Sequence, residues 1–233
     1  MTVKTRIGNL TRLTNLHHTM KLEDNLPSKE IIDKALRKKV SMYPTLAIRE
    51  LIANAIIHQD FTVKGSSPMV EIFNNRVEIT NPGKPLIDRL RFMDHGPESR
   101  NEILARFMRR LNICEERGSS IDKVIFECER NQLPAPEITV GDNYTRIIMY
   151  GIKEFKGMSK QDKIRACYLH ACLKYVSGSR MTNQSLRERL GIEEHNYSIA
   201  SRIIGDTKES ELIKDYDPEN KSRTYAKYLP YWA

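Results

Sequence analysis

Glu50, Asn54 and His58 recur at four-residue intervals in the segment IRELIANAIIHQDF, which is otherwise mostly apolar. In an α-helix, residues four apart lie on nearly the same face, so a helix here would present these three side chains together. A carboxylate can act as a general base, and an amide oxygen is a hard ligand suited to Mg²⁺. Two interpretations stand: a solvated polar stripe on an amphipathic helix, or one wall of a site that handles a metal and a phosphate.

The elements that must position these residues follow from hydrophobic periodicity. Helices are predicted over PSKEIIDKALRKKV, from Pro44 to about His58, over RNEILARFMRRLNI and over SIDKVIFECERNQL. Hairpins are predicted over MVEIFNNRVEIT, with Asn-Asn at its turn, and over EITVGDNYTRIIMYGI, with Gly-Asp-Asn at its turn. This order predicts an α+β sandwich with helices on one face of a mixed sheet.

Composition limits the class of protein. Of 233 residues, 39% are hydrophobic and 29% charged, which is typical of a soluble globular protein. No stretch approaches the ~18 consecutive apolar residues of a membrane span, and the first residues lack the apolar core of a signal peptide. The four cysteines form no C-x-x-C pair, so reduced thiols in a cytoplasmic protein are expected. Neither the cysteines nor His17-His18 have zinc-site spacing.

The character of the sequence changes near Gly157, where strand-like alternation stops and helical spacing dominates. We therefore predict two domains, residues 1–156 and 157–233. The second is expected to contain three helices, with Thr182 as N-cap of the middle one and Gly191 at its end. A turn over 218–221 and a strand over 224–229 would follow. Three helices and a terminal β-wing predict a winged helix-turn-helix.

The recognition helix of such a domain would run from about His195 to Lys208. Its candidates for the DNA groove are His195, Asn196, Ser198, Arg202 and Lys208, and the wing candidates for phosphate contact are Lys221, Arg223 and Lys227. The net charge of +8 and pI of about 9.3 permit nucleic-acid binding without showing it. Residues 157–233 carry 13 Lys and Arg against 10 Asp and Glu. This modest excess keeps open the alternative of a protein-interaction or dimerisation module.

Five motifs occur in order between residues 20 and 152: RELIANAIIHQDF, VEIFNNRVEITNPGKP, SRN, EERGSSIDKV and NQLPAPE. Together they resemble the divergent GHKL-type ATP-binding domain of Schlafen- and AlbA-associated bacterial proteins, which is often labelled RecG-like helicase C-terminal or transcriptional regulator. The tail IKDYDPENKSRTYAKYLPYWA resembles the winged-helix end of such proteins. The resemblance implies a GHKL-like (Bergerat-type) α/β sandwich followed by a winged helix-turn-helix. Members often carry a preceding AlbA-like domain; this chain has no room for one, so a truncated form or a fragment is expected.

The resemblance also implies a site for ATP and Mg²⁺ around Glu50 and Asn54. In GHKL proteins, the acidic residue polarises the attacking water, and an Asn four positions later binds Mg²⁺. His58 and Asp60 match an H-x-D motif that follows this helix, and the only role we assign there is a loop cap at Asp60.

One loop of this site would hold the adenine. Asn81-Pro82-Gly83 stands where typical GHKL proteins read D-x-G-x-G. The amide oxygen of Asn81 would accept a hydrogen bond from the adenine amine, and Gly83 would allow close backbone approach. The alternative is an ordinary turn after a strand.

The second loop would hold the phosphates. Gly118-Ser119-Ser120 stands where relatives commonly read G-T-G. The loop still opens a helix, whose N-terminal N–H groups could cradle an anion, but Ser120 would crowd a phosphate and cost about 1 kcal/mol if positive φ is needed. Arg100 or Arg117 would add positive charge.

Three functions fit these observations. The first is an ATP-binding, double-stranded-DNA-binding transcriptional regulator, with a homodimer as one option. The second is an ATPase in a nucleic-acid-linked process such as phage defence. The third is a degenerate scaffold that dimerises without binding nucleotide. The Glu50/Asn54 pair favours the first two, and the altered loops favour the first and third. A helicase is disfavoured because the sequence has no G-x-x-x-x-G-K-[ST] loop.

Overall fold

The computed structural model describes residues 3–6, 26–33, 36–96, 98–114, 120–219 and 225–233. The chain divides into two compact units. The first comprises residues 1–127 and 136–152, and the second comprises residues 128–135 and 153–233. The short segment 128–135 therefore clusters with the C-terminal half of the chain.

A five-stranded sheet forms the centre of the first unit. Its strands are β1 (Val3–Arg6), β4 (Met69–Ile72), β5 (Arg76–Pro82), β6 (Glu137–Val140) and β7 (Tyr144–Tyr150). They lie in the order β1-β4-β5-β7-β6. Each of these neighbouring pairs is antiparallel, so the sheet is not the mixed one that we expected. Both predicted hairpins, β4–β5 and β6–β7, are confirmed by their antiparallel pairing. Their strands are rich in β-branched residues, which favour extended backbone.

Three helices accompany this sheet: α1 (Thr45–Ile57), α2 (Glu102–Arg110) and α3 (Ser120–Arg130). All three were predicted. Helix α1 packs against β5 and also contacts α2. Because it is covered from more than one side, most of its length is buried. Its core residues include Ile48, Leu51, Ile52, Ile56 and Ile57.

The helix predicted over PSKEIIDKALRKKV is wrong. The structure has an antiparallel hairpin there, formed by β2 (Ser28–Asp33) and β3 (Leu36–Ser41). Apolar residues in this segment fit a helical period, but Ile31, Ile32 and Val40 are β-branched and favour strands. The backbone register places residue 30 opposite residue 39, and residue types of opposite charge at facing positions favour a hairpin. Periodicity alone could not weigh these cross-strand terms.

The second unit contains α4 (Lys160–Val176), α5 (Asn183–Leu190) and α6 (Tyr197–Glu209), followed by an antiparallel pair of β8 (Ile213–Asp215) and β9 (Tyr228–Pro230). Met181 adds a single antiparallel bridge to Tyr228. Thr182 caps α5 through a capping box, and Gly191 ends it with φ of 63°, as predicted. Apolar side chains of all three helices form the core of this unit, among them Cys167, Leu186 and Ile203.

Two boundaries in the second unit differ from the prediction. The helical stretch expected over residues 193–217, which contains the predicted recognition helix, stops at Glu209, and the Ile213–Asp215 segment is a strand because it pairs with β9. The last strand covers Tyr228–Pro230 and not 224–229; residues 220–224, part of the predicted turn and wing, lie outside the described residues. Within the described ranges, no helix combines the length and apolar character needed to cross a membrane.

Candidate functional site

A cavity of about 560 Å³ opens in the first unit. Its volume lies within the ~300–1,000 Å³ that is usual for small-molecule sites. The walls come from α1, the strands β5 and β7, the chain between residues 84 and 100, and the adjoining ends of α2 and α3. Among the sequence-predicted site residues, it brings together Glu50, Asn54, Asn81 and Arg100.

Glu50 and Asn54 enter this cavity from α1. Glu50 is only 7% exposed, and Asn54 is partly buried one turn further along the helix. Of the two interpretations of the polar stripe, the solvated one is therefore wrong for Glu50. A buried carboxylate carries a desolvation cost, so its place on a cavity wall is an unusual feature that packing alone does not require.

His58 and Asp60 follow the end of α1. The Asp60 carboxylate accepts hydrogen bonds from the Thr62 backbone N–H and hydroxyl, at 2.9 and 2.7 Å. These bonds, together with the charge of Arg100, hold the pKa of Asp60 below its ordinary value. Burial, followed by the charge of Arg100, lowers the pKa of the His58 imidazole. The charged form of His58 is therefore disfavoured, and Asp60 caps the loop as expected.

Asn81 and Gly83 lie at the end of β5, where the chain leaves the sheet. The Asn81 amide nitrogen donates to the backbone oxygens of Pro82 at 3.3 Å and His58 at 3.5 Å. Gly83 has φ of 100°, and a Cβ atom there would lie 2.6 Å from the Cβ of Asp60. The site therefore requires glycine at this position, both for the left-handed backbone and for the close approach to Asp60.

Ser99-Arg100-Asn101 connects the loop after β5 to the end of α1. The Arg100 guanidinium donates to Asp60 Oδ2 at 3.3 Å and to the backbone oxygens of His58 at 3.2 Å and Lys84 at 2.5 Å. The Asn101 amide donates to the backbone oxygens of Ile57 and Gln59, each at 2.8 Å. The bonds to Ile57, His58 and Gln59 satisfy carbonyls at and just after the end of α1, where intrahelical donors run out.

Only part of the predicted phosphate loop lies within the described residues. Gly118 and Ser119 lie outside the described residues, and Ser120 is the first residue of α3. Ile121 and Lys123, in the first turn of α3, line the cavity. The start of this helix thus reaches the same cavity as Glu50 and Asn54.

Several lining residues escaped the sequence analysis. The cavity also contains the cations Lys84, Arg109 and Lys123, and the hydroxyl residue Thr145. Thr145 donates to the backbone oxygen of Gly83 at 2.8 Å and so helps to fix that loop. Two of these residues could have been found from the sequence. Lys84 directly follows Asn-Pro-Gly, and Lys123 lies three residues after Gly-Ser-Ser. Arg109 had no such signal, because its place depends on how α2 packs.

The donor set suits a magnesium ion that is carried by a ligand. Within the described ranges, no group of three or more His, Cys, Asp or Glu side chains could hold a metal by itself. Mg²⁺ keeps several waters and is commonly bound by one or two protein oxygens together with substrate phosphates. Asn54, with the Glu50 carboxylate one turn away on the same wall, fits that mode.

The DNA-binding candidates lie in the second unit and have different surroundings. His195 and Asn196 belong to a 3₁₀ turn (Glu194–Asn196) that precedes α6, and His195 Nε2 lies 3.2 Å from a Glu193 carboxylate oxygen. Lys208 pairs with Asp215 at 2.5 Å. Ser198, Arg202 and Lys227 are exposed. No described residue pairs with Arg202, whereas Lys221 and Arg223 lie outside the described residues.

Comparison with known proteins supports a nucleotide-binding domain in the first unit. Residues 65–149 match a protein family described as "Putative ATP-dependent DNA helicase recG C-terminal". This range includes Asn81, Gly83 and Arg100 but begins after α1. The HATPase type of the matched family suggests ATP binding. No curated protein matches the chain.

One of the solved structures that resemble this chain is the crystal structure of the DIP2311 protein from Corynebacterium diphtheriae. The two chains share 16% sequence identity, with a TM-score of 0.48. The match covers 94% of this chain and 45% of the other, so this chain spans less than half the length of that protein.

Proposed function

We propose that this protein is a DNA-binding regulator that binds ATP with Mg²⁺ in the cavity of its first unit. The observation that carries the proposal is that Glu50 and Asn54, four residues apart on α1, line the same cavity as Asn81 and four cationic side chains. Those cations are Lys84, Arg100, Arg109 and Lys123. A polyanion with an attached base matches this distribution of charge and hydrogen-bonding groups.

Each wall of the cavity has a role in this proposal. The amide oxygen of Asn54 would bind Mg²⁺, and the ligand's phosphates and water would complete the coordination. The amide oxygen of Asn81 would accept a hydrogen bond from the adenine amine. Its amide nitrogen already donates to backbone oxygens. Gly118, Ser119 and Ser120 would place the N-terminus of α3 against the phosphates, where backbone N–H groups and the helix dipole favour negative charge.

We further propose that the second unit is a winged helix-turn-helix that contacts duplex DNA. Support comes from its order of three helices followed by an antiparallel strand pair, and from the exposed Ser198 and Arg202 on α6. The exposed Lys227 precedes β9 and would contact phosphate from the wing, together with Lys221 and Arg223. His195 and Lys208 face carboxylates, which reduces what either contributes to an anion.

Calorimetry with a non-hydrolysable ATP analogue and Mg²⁺ tests the nucleotide site. We expect one analogue to bind per chain, and Asn54→Ala to weaken that binding by about tenfold or more, since an ion-bound oxygen is lost. Arg110→Gln is the matched control, because Arg110 is exposed on α2 and lies outside the cavity lining. Absence of heat and of a thermal shift in the unmodified protein would contradict the proposal and favour the scaffold alternative.

A further inference from the structure

Each of the three guanidinium nitrogens of Arg100 donates a hydrogen bond within the protein. Nε donates to His58 O, Nη1 donates to Asp60 Oδ2, and Nη2 donates to Lys84 O. The side chain is 23% exposed, as is that of Asp60. The planar guanidinium therefore joins the chain after α1 to the chain after β5, two segments more than twenty residues apart in sequence.

Asp60 lies at the centre of this junction. Its backbone N–H donates to Pro82 O at 2.9 Å, and its side chain packs directly against Gly83. Gly83 N–H in turn donates to Asn143 O at 2.8 Å, on the turn between β6 and β7. The position of the Asn81–Lys84 loop is thus set by Asp60 and the hairpin turn, and Arg100 closes the arrangement through Lys84 O.

Asn101, the next residue, holds the other side of the same junction. Its amide bonds to Ile57 O and Gln59 O fix the chain that carries Asp60. Two consecutive side chains thus hold the end of α1 by charge-assisted and amide hydrogen bonds, with at least one bond to each residue from Ile57 to Asp60. A side chain that serves mainly as an anion ligand would not need this set of backbone acceptors.

We infer that Arg100 and Asp60 form a clamp that positions the Asn81–Lys84 loop, and that Arg100 acts on a bound nucleotide through this loop instead of as a phosphate ligand. The inference rests on the proposed nucleotide site. Arg100 is therefore a positioning residue whose loss affects recognition of the base, and Lys84 and Arg109 line the same cavity as cations that could contact the phosphates.

The test compares ligands that share a base but differ in phosphates. The ATP analogue, ADP and adenosine are titrated into the unmodified protein, Arg100→Gln, Asp60→Asn and the double variant, with Arg110→Gln as control. A clamp predicts that Arg100→Gln weakens all three ligands by the same factor, about tenfold. Asp60→Asn should act in the same direction. The double variant should resemble Arg100→Gln alone, because both changes remove one interaction.

A loss confined to the phosphate-bearing ligands would overturn the inference, and so would unchanged binding of all three by Arg100→Gln. Hydrogen exchange on the ligand-free protein tests the clamp of Arg100 and Asp60 independently of nucleotide binding. The amides of Asp60 and Gly83 should exchange at least several-fold faster in Arg100→Gln than in Arg110→Gln. If the unmodified protein binds no nucleotide, the proposed function fails, while faster exchange still supports the clamp and unchanged exchange rejects it.

Discussion

At the scale of single residues, Glu50 is the side chain that we propose as the general base if the protein hydrolyses ATP. It is a buried carboxylate on the wall of the cavity, one turn before Asn54. In that place it would take a proton from a water that attacks the terminal phosphate. Its spacing from Asn54 was visible in the sequence. Its burial was not, because it follows from the contacts of α1 with both β5 and α2.

Glu50→Gln tests whether this carboxylate acts as a base. The substitution keeps the shape of the side chain and removes its basicity. For the ATPase alternative, binding of the ATP analogue should stay within about threefold, and phosphate release from ATP should fall by at least about a hundredfold, the lower range for a lost general base. Glu154→Gln, an exposed carboxylate outside the cavity lining, is the control. Equal turnover in Glu50→Gln would exclude Glu50 as the base.

Other residues of the candidate site could be found only in part from the sequence. Glu50, Asn54, Asn81 and Gly83 belong to short motifs, and each of these motifs lies on one element or turn. Arg109 and Thr145 belong to no motif that points to the cavity; α2 and β7 bring them there through packing between distant segments. Arg100 was visible within Ser-Arg-Asn, but its partners His58, Asp60 and Lys84 depend on the tertiary structure.

At the scale of elements, the helices with sharp end signals were the most predictable. Helix α4 begins at a capping box in which Ser159 Oγ accepts from the Asp162 N–H at 3.1 Å and Asp162 accepts from the Ser159 N–H at 3.0 Å. The β2–β3 hairpin shows the opposite case. Its residues fit a helical period about as well as an alternating one, and the pairing that decides between them joins Ser28 to Ser41, thirteen positions away.

The capping box of α4 leads to a pH-dependent prediction. Burial alone would raise the pKa of Asp162, but hydrogen bonds from Lys153, the Ser159 N–H and Arg165 outweigh it, and the pKa falls well below its ordinary value of 3.8. A lowered pKa in the folded state stabilises the protein above about pH 4 and loses that contribution as the pH falls further. Asp162→Asn should therefore lower the free energy of unfolding by about 1–2 kcal/mol at pH 7.

Urea denaturation between pH 7 and pH 2.5 measures this effect. The difference between Asp162→Asn and the unmodified protein should shrink steadily below about pH 4. Glu209→Gln, an exposed carboxylate at the end of α6, is the control and should change stability by less than about 0.5 kcal/mol. A difference that stays constant with pH would mean that the charge of Asp162 does not contribute.

At the scale of the whole molecule, the sequence indicated an α+β region followed by a helical one, and the structure has both. The placement of residues 128–135 in the second unit was not predicted. Within that unit, Arg189 donates to Leu133 O at 2.7 Å, and His170 Nδ1 lies 2.9 Å from a Glu129 carboxylate oxygen. These buried polar contacts join residues more than forty positions apart, and no local pattern of charge or hydropathy encodes them.

The proposed contact of the second unit with DNA is made by α6, and substitution of Arg202 tests this contact. Arg202 is exposed, whereas Lys208 on the same helix is held by Asp215. For a helix that lies against duplex DNA, Arg202→Ala should weaken binding by about tenfold and reduce the salt dependence by about one counterion. Lys208→Ala should have a smaller effect, because its ammonium already has a carboxylate partner.

Fluorescence anisotropy with duplex DNA from low to moderate salt measures both variants, with Lys156→Ala, an exposed lysine outside α6, as control. Absence of duplex binding at low salt would contradict the DNA-binding proposal. It would favour the alternative that the second unit is a protein-interaction module.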